Sequence, residues 1–509
     1  MRRGIHRWLA GAAAAIVCLA AAGARGQDNW TTSIPFESGY SPESQESTAQ
    51  FVSNSVVSAD PKAAPDLGAR LKELESIVKK MKDKEDADKK KAAGRPTAVV
   101  GGRLQVDVNS FQQNAASVTQ LDGTTPVGGT DAGNIPSGVG FRRARLQVQG
   151  EAFDVMNYLL ELDFAAGTVS FRDVYIGVTQ LPYVGNIRAG HFKEPFGLED
   201  LASDNITTFM ERSTSDENAI VPGRNLGVML FNATQNQRAT WQIGGFATDP
   251  RQVDTPPIWL NDNGGYAVTM RATCLPWYDE ATEGRGLLHL GAAYSYRDNA
   301  AYRDNTGAPM GYLFRTRPEA GLSPRVLNLD LASVLDVQLF GAEAAYVYGP
   351  FSVQSEYFQA FAERDVVGVD PTFRGCYVYF SYFLTGEHRP YRRSMGVFDR
   401  VRPFENFFRV RDCDGNVQTG KGAWEVAYRY SYLDLLDGLP VGAASVGGGR
   451  ISDNTVGVNW YLNPYSRVMF NYVWTDMSRV TRLGPAPGVP TFIPGGQIQT
   501  AEMRWQIDF

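Results

Sequence analysis

Past its first two dozen residues, this chain has no stretch long and apolar enough to cross a membrane as a helix, yet from Pro96 to Phe509 apolar and polar residues alternate in run after run. The alternation is strictest at the end. Ala501, Met503, Trp505, Ile507 and Phe509 fall on one side of a strand, and Glu502, Arg504, Gln506 and Asp508 on the other. A soluble sandwich alternates in this way, and so does a membrane barrel, whose apolar residues face lipid and whose polar residues face water inside. In lipid, only helices and closed barrels satisfy their own backbone hydrogen bonds. A membrane span in this chain must therefore be built of strands.

The amino-terminal part favours export. Residues 1–24 read as a signal peptide: Arg2, Arg3 and Arg7 precede the short apolar run Trp8–Ala22, and Ala22-Gly23-Ala24 offers a small-residue cleavage site. Residues 25–66 read as a flexible polar segment. In residues 67–93, Leu67, Leu71, Leu74, Val78 and Met81 recur at spacings of four, three, four and three. This is the seam of a short periplasmic coiled coil. A solvated helix or linker is the plainer alternative, because two heptads are marginal alone. Beyond the signal, Cys274, Cys376 and Cys413 permit at most one internal disulfide.

Residues 97–509 read as an all-β domain, a transmembrane antiparallel β-barrel of about sixteen strands. The 52 Gly, 23 Tyr, 27 Phe and 9 Trp suit turns, strands and interfacial girdles. The net charge of −6 argues against a nucleic-acid partner. Strands are expected to begin near Val99, Phe141, Met156, Val169, Asn186, Leu226, Thr240 and Tyr266. The second eight begin near Leu287, Val337, Phe351, Phe373, Gly422, Ile451, Ser466 and Ile498. Gln112–Ser137, Leu198–Arg224, Ala300–Leu335 and Gly386–Lys421 are long and non-repetitive, as outer loops are. Gly349-Pro350 and Asn463-Pro464 suit periplasmic turns.

A series of motifs then carries a resemblance. GGRLQVD (Gly101–Asp107), FRRARL (Phe141–Leu146) and GNIRAGHFKEPFGLE (Gly185–Glu199) are followed by TFMERS (Thr208–Ser213) and PGRNLGVML (Pro222–Leu230). LTGEHRPY (Leu384–Tyr391), GAWEVAYRYSYLD (Gly422–Asp434) and VGVNWYLNP (Val456–Pro464) complete it. Together these resemble the phosphate-selective porin O and P family, over roughly Val99 to Phe509. The resemblance implies a sixteen-stranded barrel, normally trimeric, with a loop folded into its lumen, a preference for anions and a short coiled coil before the barrel. It places an arginine pair, Arg142 and Arg143 here, near the anion site. This sequence departs from the pattern after GLE, where Asp200 stands in place of a lysine.

Arg and Lys at a narrow point replace part of an anion's lost hydration, and the guanidinium fork matches phosphate oxygens. Arg103, Arg143 and Arg145 lie on the polar faces of the first two strands. Arg142 falls by parity on the outward face, but at the loop end of its strand an inward curl is open to it. Lys193, Arg212 and Arg224 lie in or beside the inward-folding segment. Each has a plainer reading, as half of an ion pair with carboxylates such as Glu151, Glu161, Asp163 or Asp173. Arg389, Arg392, Arg393, Arg400 and Arg402 cluster in the expected outer loop Gly386–Lys421. None of His191, His289 and His388 sits in a nucleophile motif, so the sequence suggests a channel needing no cofactor and no catalysis. The expected partners are small anions such as phosphate, outer-membrane lipid, two further copies in a homotrimer, and the barrel assembly machinery. The last would read the closing strand that ends at Phe509. The expected location is the outer membrane of a Gram-negative-type bacterium, with the amino-terminal segment in the periplasm. The expected function is passive diffusion of small anions, phosphate or polyphosphate among them. A general diffusion porin without phosphate specificity is one alternative, and a structural tether, held to the cell wall through the coil, is the alternative from another class.

Overall fold

The computed structural model describes residues 79–80, 96–121, 133–165, 167–216, 219–248, 265–300, 311–365, 370–411, 415–439, 441–442, 445–481 and 489–509. The signal peptide, the polar segment and Cys413 lie outside them. Of the expected coil only Lys79 and Lys80 are described, and both are helical.

The chain runs through β1 (Val99–Gln113), β2 (Gly138–Ala152), β3 (Met156–Asp163), β4 (Ser170–Leu181), β5 (Gly185–Lys193) and β6 (Arg224–Ala233). Next come β7 (Ala239–Thr248), β8 (Gly265–Tyr278), β9 (Gly286–Asp298), β10 (Tyr312–Thr316), β11 (Leu327–Leu331), β12 (Val334–Tyr348), β13 (Phe351–Arg364) and β14 (Thr372–Phe383). The short β15 (Tyr391–Arg392), β16 (Val397–Phe398), β17 (Phe408–Arg411) and β18 (Val417–Gly420) follow. The chain ends with β19 (Ala423–Asp434), β20 (Gly449–Asn463), β21 (Ser466–Thr481) and β22 (Thr491–Asp508).

Sixteen of these strands close into one antiparallel barrel, and β10–β11, β15–β16 and β17–β18 are separate hairpins. The expected strand starts fall within three residues of the observed ones, except that β22 begins at Thr491. Closure is made by β1 on β22, with Arg103 opposite Asp508 and Gln113 opposite Ile498. Side-chain burial is inverted relative to a soluble sheet. In β1, Leu104, Val106 and Val108 are exposed on the outside, while Arg103, Gln105, Asp107 and Asn109 are buried inside. The ambiguity of the alternation is thereby resolved in favour of a membrane barrel.

Consecutive strands alternate in direction, so the end of the barrel at which each connection lies is fixed. Gly349-Pro350 and the turn after Asn463 share an end with Val99 and Phe509. By the usual rule of short periplasmic turns, this is the periplasmic end. Residues 384–422, between β14 and β19, lie at that end too. Gly386–Lys421 is therefore not an outer loop. The short connection between β13 and β14 takes the outer position, and strand parity overrides length.

Among the described residues, the connections after β5, before β12 and after β14 send segments into the lumen. Residues 194–223, here the inward loop, follow β5. Residues 312–331 enter from the same end: Thr316 donates to the Thr214 carbonyl at 2.7 Å, and Arg429 Nη2 lies 2.6 Å from Glu319. Residues 384–422 enter from the periplasmic end. His289, on β9, bonds Tyr391 Oη through Nδ1 at 2.6 Å and Glu343 through Nε2 at 3.1 Å. Arg271 holds Glu343 with both nitrogens at 2.7 Å and donates to the Gly396 carbonyl at 2.8 Å. The inserted segments also carry apolar side chains. Phe196, Phe209, Phe314 and Leu329 pack on Phe358, Phe373, Tyr377 and Tyr379 of the wall, giving part of the lumen a dry core.

Candidate functional site: a belt of arginines around the inward loop

The inward loop is held where its carboxylates meet wall arginines. Gly197, at φ 79, turns the chain in the left-handed region that glycine tolerates, and the Leu198 and Glu199 amides then donate to Glu356 at 2.6 and 2.9 Å. Farther on, Asp204 reaches β2, 3.0 Å from Arg143 Nε and 2.9 Å from Arg145 Nη1. Glu211 is held by Arg142 at 2.7 Å and by Arg504 of β22 at 2.6 Å. Arg429, on β19, reaches Glu199 at 3.0 Å.

Arg142 reaches the lumen through a β-bulge. In the β1–β2 ladder Gln105 faces Arg143 and Val106 faces Phe141, so Arg142 is the extra residue between them. A bulge re-aims a side chain that simple alternation would place outside. Phe141 stays on the lipid side at 59 % exposure, while Arg142 holds Glu211 in a two-pronged bond, both contacts 2.7 Å. The outward parity of Arg142 is corrected by this shift.

All seven candidates from the sequence meet in one belt, and all are paired. Arg103 contacts Glu161 at 2.9 Å and Ser203 at 3.3 Å. Arg145 also contacts Asp163 at 2.8 Å. Arg212, on the loop itself, lies 2.7 Å from Asp204 and 3.5 Å from Asp200. Arg224 holds Asp173 at 2.8 and 3.2 Å. Lys193 donates to the Asp200 and Ala202 carbonyls and lies 3.9 Å from the Asp200 carboxylate. Asp200, the departure from the family pattern, thus offsets part of the charge of the two cations nearest to it. Of the partners the sequence offered, Glu161, Asp163 and Asp173 are used, while Glu151 is exposed and pairs with none of the seven. The sequence did not show that the inward loop supplies most of the others.

Asp204 and Glu211 are kept ionised by their surroundings. Burial would raise Asp204, but Arg143, Arg212 and Arg145 hold it well below the ordinary carboxylate value. Burial opposes ionisation of Glu211 too, and Arg142, Arg143 and Arg504 again win. Asp216 goes the other way: burial and then Asp200 push it well above its ordinary value, despite Arg212.

Below the loop, on the periplasmic side, lies a cavity of about 270 Å³. Arg103, Arg145, Lys193 and Arg224 line it, together with three basic residues that were not among the seven: Arg188, Arg392 and Arg400. Arg188 was legible in principle, since Asn186 and Arg188 alternate along the inward face of β5. Arg392 and Arg400 were assigned to the wrong end of the barrel, where they could not have met the others.

Comparison with known proteins places this architecture. The chain is 28 % identical over 412 residues to porin O of Pseudomonas aeruginosa, covering 75 % of this chain and 83 % of that one. It is 29 % identical over 388 residues to an uncharacterized protein of Caulobacter vibrioides, covering 75 % and 69 %. Among solved structures, OmpT of Vibrio cholerae aligns with a TM-score of 0.43 at 12 % identity, covering 81 % of this chain and 98 % of that one. The family described as phosphate-selective porin O and P matches residues 108–504, most of the chain, and this protein belongs to that family.

Proposed function

We infer that this outer-membrane porin passes small anions, phosphate among them, down their gradients by general electrostatic preference rather than through a dedicated phosphate site. The charge balance below the inward loop carries the reading. Seven basic side chains and five carboxylates surround one cavity, and the excess is positive in a protein whose net charge is −6. A basic excess at a narrow point lowers the barrier to an anion and raises it to a cation.

The seven residues divide by role. Arg142, Arg143, Arg145 and Arg212 hold the inward loop in place through Asp204 and Glu211. Arg103, Lys193 and Arg224 line the passage with charges only partly offset. Asp200 supports general over phosphate-specific selection, because its carboxylate offsets charge that phosphate would need, while the Glu199, Asp200 and Ala202 carbonyls take the Lys193 and Arg212 donors.

A homotrimer fits the outer surface. Among the described residues, the exposed Tyr and Trp side chains of the barrel strands lie on β8–β22, and β1–β6 present Val, Leu, Ile, Phe and Met instead. A wall covered by protein has no use for the interfacial girdle that lipid favours. Phe509 ends the closing strand with its ring exposed, as a handle for the assembly machinery would be.

Reversal potentials in planar bilayers under a KCl gradient test the reading. Anion preference is expected, with millimolar phosphate reducing chloride current only weakly. Cation preference would overturn it.

A further inference from the structure

Two faces of the cavity below the inward loop differ in chemistry. One carries Arg103, Lys193 and Arg224, each engaged with carboxylates or carbonyls. The other carries Tyr175, Met229 and Phe231 on the wall, faced by Met395, Val397 and Phe398 from the periplasmic insertion. Between them stands Arg188. Its guanidinium carbon lies 4.0 Å from the Tyr175 ring centroid, 5.2 Å from Phe231 and 5.5 Å from Phe192. It makes no hydrogen bond or ion pair with any described residue, its Nε is buried without a partner, and the residue is partly exposed. The other cationic forks of the belt are filled by carboxylates. Arg188 is stacked on rings and feels the charge of Asp173 without bonding it, with donors left for a visitor.

A hydrated inorganic anion has no use for this arrangement. Phosphate gains nothing from Met229, Phe231 or Met395, and losing water against them costs it free energy. An anion with an attached ring gains from both faces: its charged head meets Arg188, and its apolar part leaves water against methionine and aromatic surface. Thioether side chains adapt to rings of varied shape. We propose that the cavity is a binding site for amphipathic organic anions, aryl carboxylates and aryl phosphates, and that the porin prefers these over inorganic anions of the same charge. The proposal rests on the anion-porin reading above and names the solute class for that same passage.

Block of chloride current through the purified full-length protein in planar bilayers tests it, using matched pairs: phenyl phosphate against methyl phosphate, and benzoate against acetate. The aryl member of each pair is expected to half-block at a concentration lower by at least about tenfold. Arg188→Ala should weaken block by all four probes. Met395→Ser, on the insertion and not on the barrel wall, should weaken block by the aryl members alone. Equal block within each pair, or aryl preference surviving in both variants, overturns the site. Block by phosphate and methyl phosphate without aryl preference overturns the solute class and leaves the anion porin standing. A cation-preferring reversal potential with no anion block overturns both.

Discussion

Arg504, on the strand that closes the barrel, and Glu211, on the loop that fills it, are joined at 2.6 Å with both side chains shut off from solvent. The same guanidinium holds Asp107 of β1 at 2.7 Å. One side chain therefore links barrel closure to loop position. Arg504→Met leaves Asp107 and part of Glu211 uncompensated inside the wall, and the expected loss is about 3–5 kcal/mol. Reversible urea unfolding in detergent or lipid measures it. Arg504→Lys keeps the charge but loses the fork and should recover only part of the loss. A wild-type stability for the Met variant would mean that the pair does not hold the loop.

Asp200 sits 3.5 Å from Arg212 and 3.9 Å from Lys193. Asp200→Lys removes the carboxylate that offsets those cations and adds a third, while their bonds to the Glu199, Asp200 and Ala202 carbonyls remain. Phosphate should then half-block chloride current at a concentration lower by on the order of tenfold or more, as gain of one charge-assisted contact implies. Unchanged block would show that phosphate does not reach this face of the loop.

Asp204 and Glu211 are held below their ordinary values by arginine, so the sign of their pH effect is fixed. Stability from a depressed carboxylate is complete above its unfolded value of about 4 and is lost only as pH falls through the lower folded value. These two contacts should therefore persist from pH 8 down to about pH 4, leaving Asp216, whose value is raised, as a loop carboxylate free to titrate in that range. Asp204→Asn should raise open-channel noise throughout that range. A conductance step near pH 5 or 6 that survives Asp216→Asn would show that other groups hold the loop.

Phe404 belongs to the insertion between β14 and β19 and is 64 % exposed. A cysteine at Phe404 should resist a membrane-impermeant maleimide on intact cells and react once the outer membrane is permeabilised. Labelling of intact cells would return residues 384–422 to the outer face.

The Phe509 amide donates to the Gly102 carbonyl at 3.1 Å, the Gly102 amide donates to Phe509 O at 2.8 Å, and a Cβ on Gly102 would meet the Phe509 ring at 2.6 Å. Gly102→Ala should loosen this seam and lower the unfolding midpoint. Deleting Phe509 should additionally lower outer-membrane levels in cells more than it lowers refolding in detergent. Equal losses in both settings would reduce Phe509 to a structural residue.

The sequence by itself determined the wall. Alternation is local, so Ala501–Phe509 and its fifteen partner strands carried their inside and outside in adjacent residues, and the inward placement of Arg103, Arg143 and Arg145 followed. Strand parity also contained the periplasmic position of residues 384–422, but segment length pointed the other way and hid Arg392 and Arg400 from the site. Only the tertiary structure decided which carboxylate each arginine meets. Asp204 and Glu211 reach β2 and β22 because a loop folds across the lumen, and the bulge at Arg142 depends on the register between two strands. These ion pairs form through space between residues tens to hundreds of positions apart, and no local period records them. The closing strand could announce a barrel, but the role of Arg504 inside it was fixed only once Glu211 arrived.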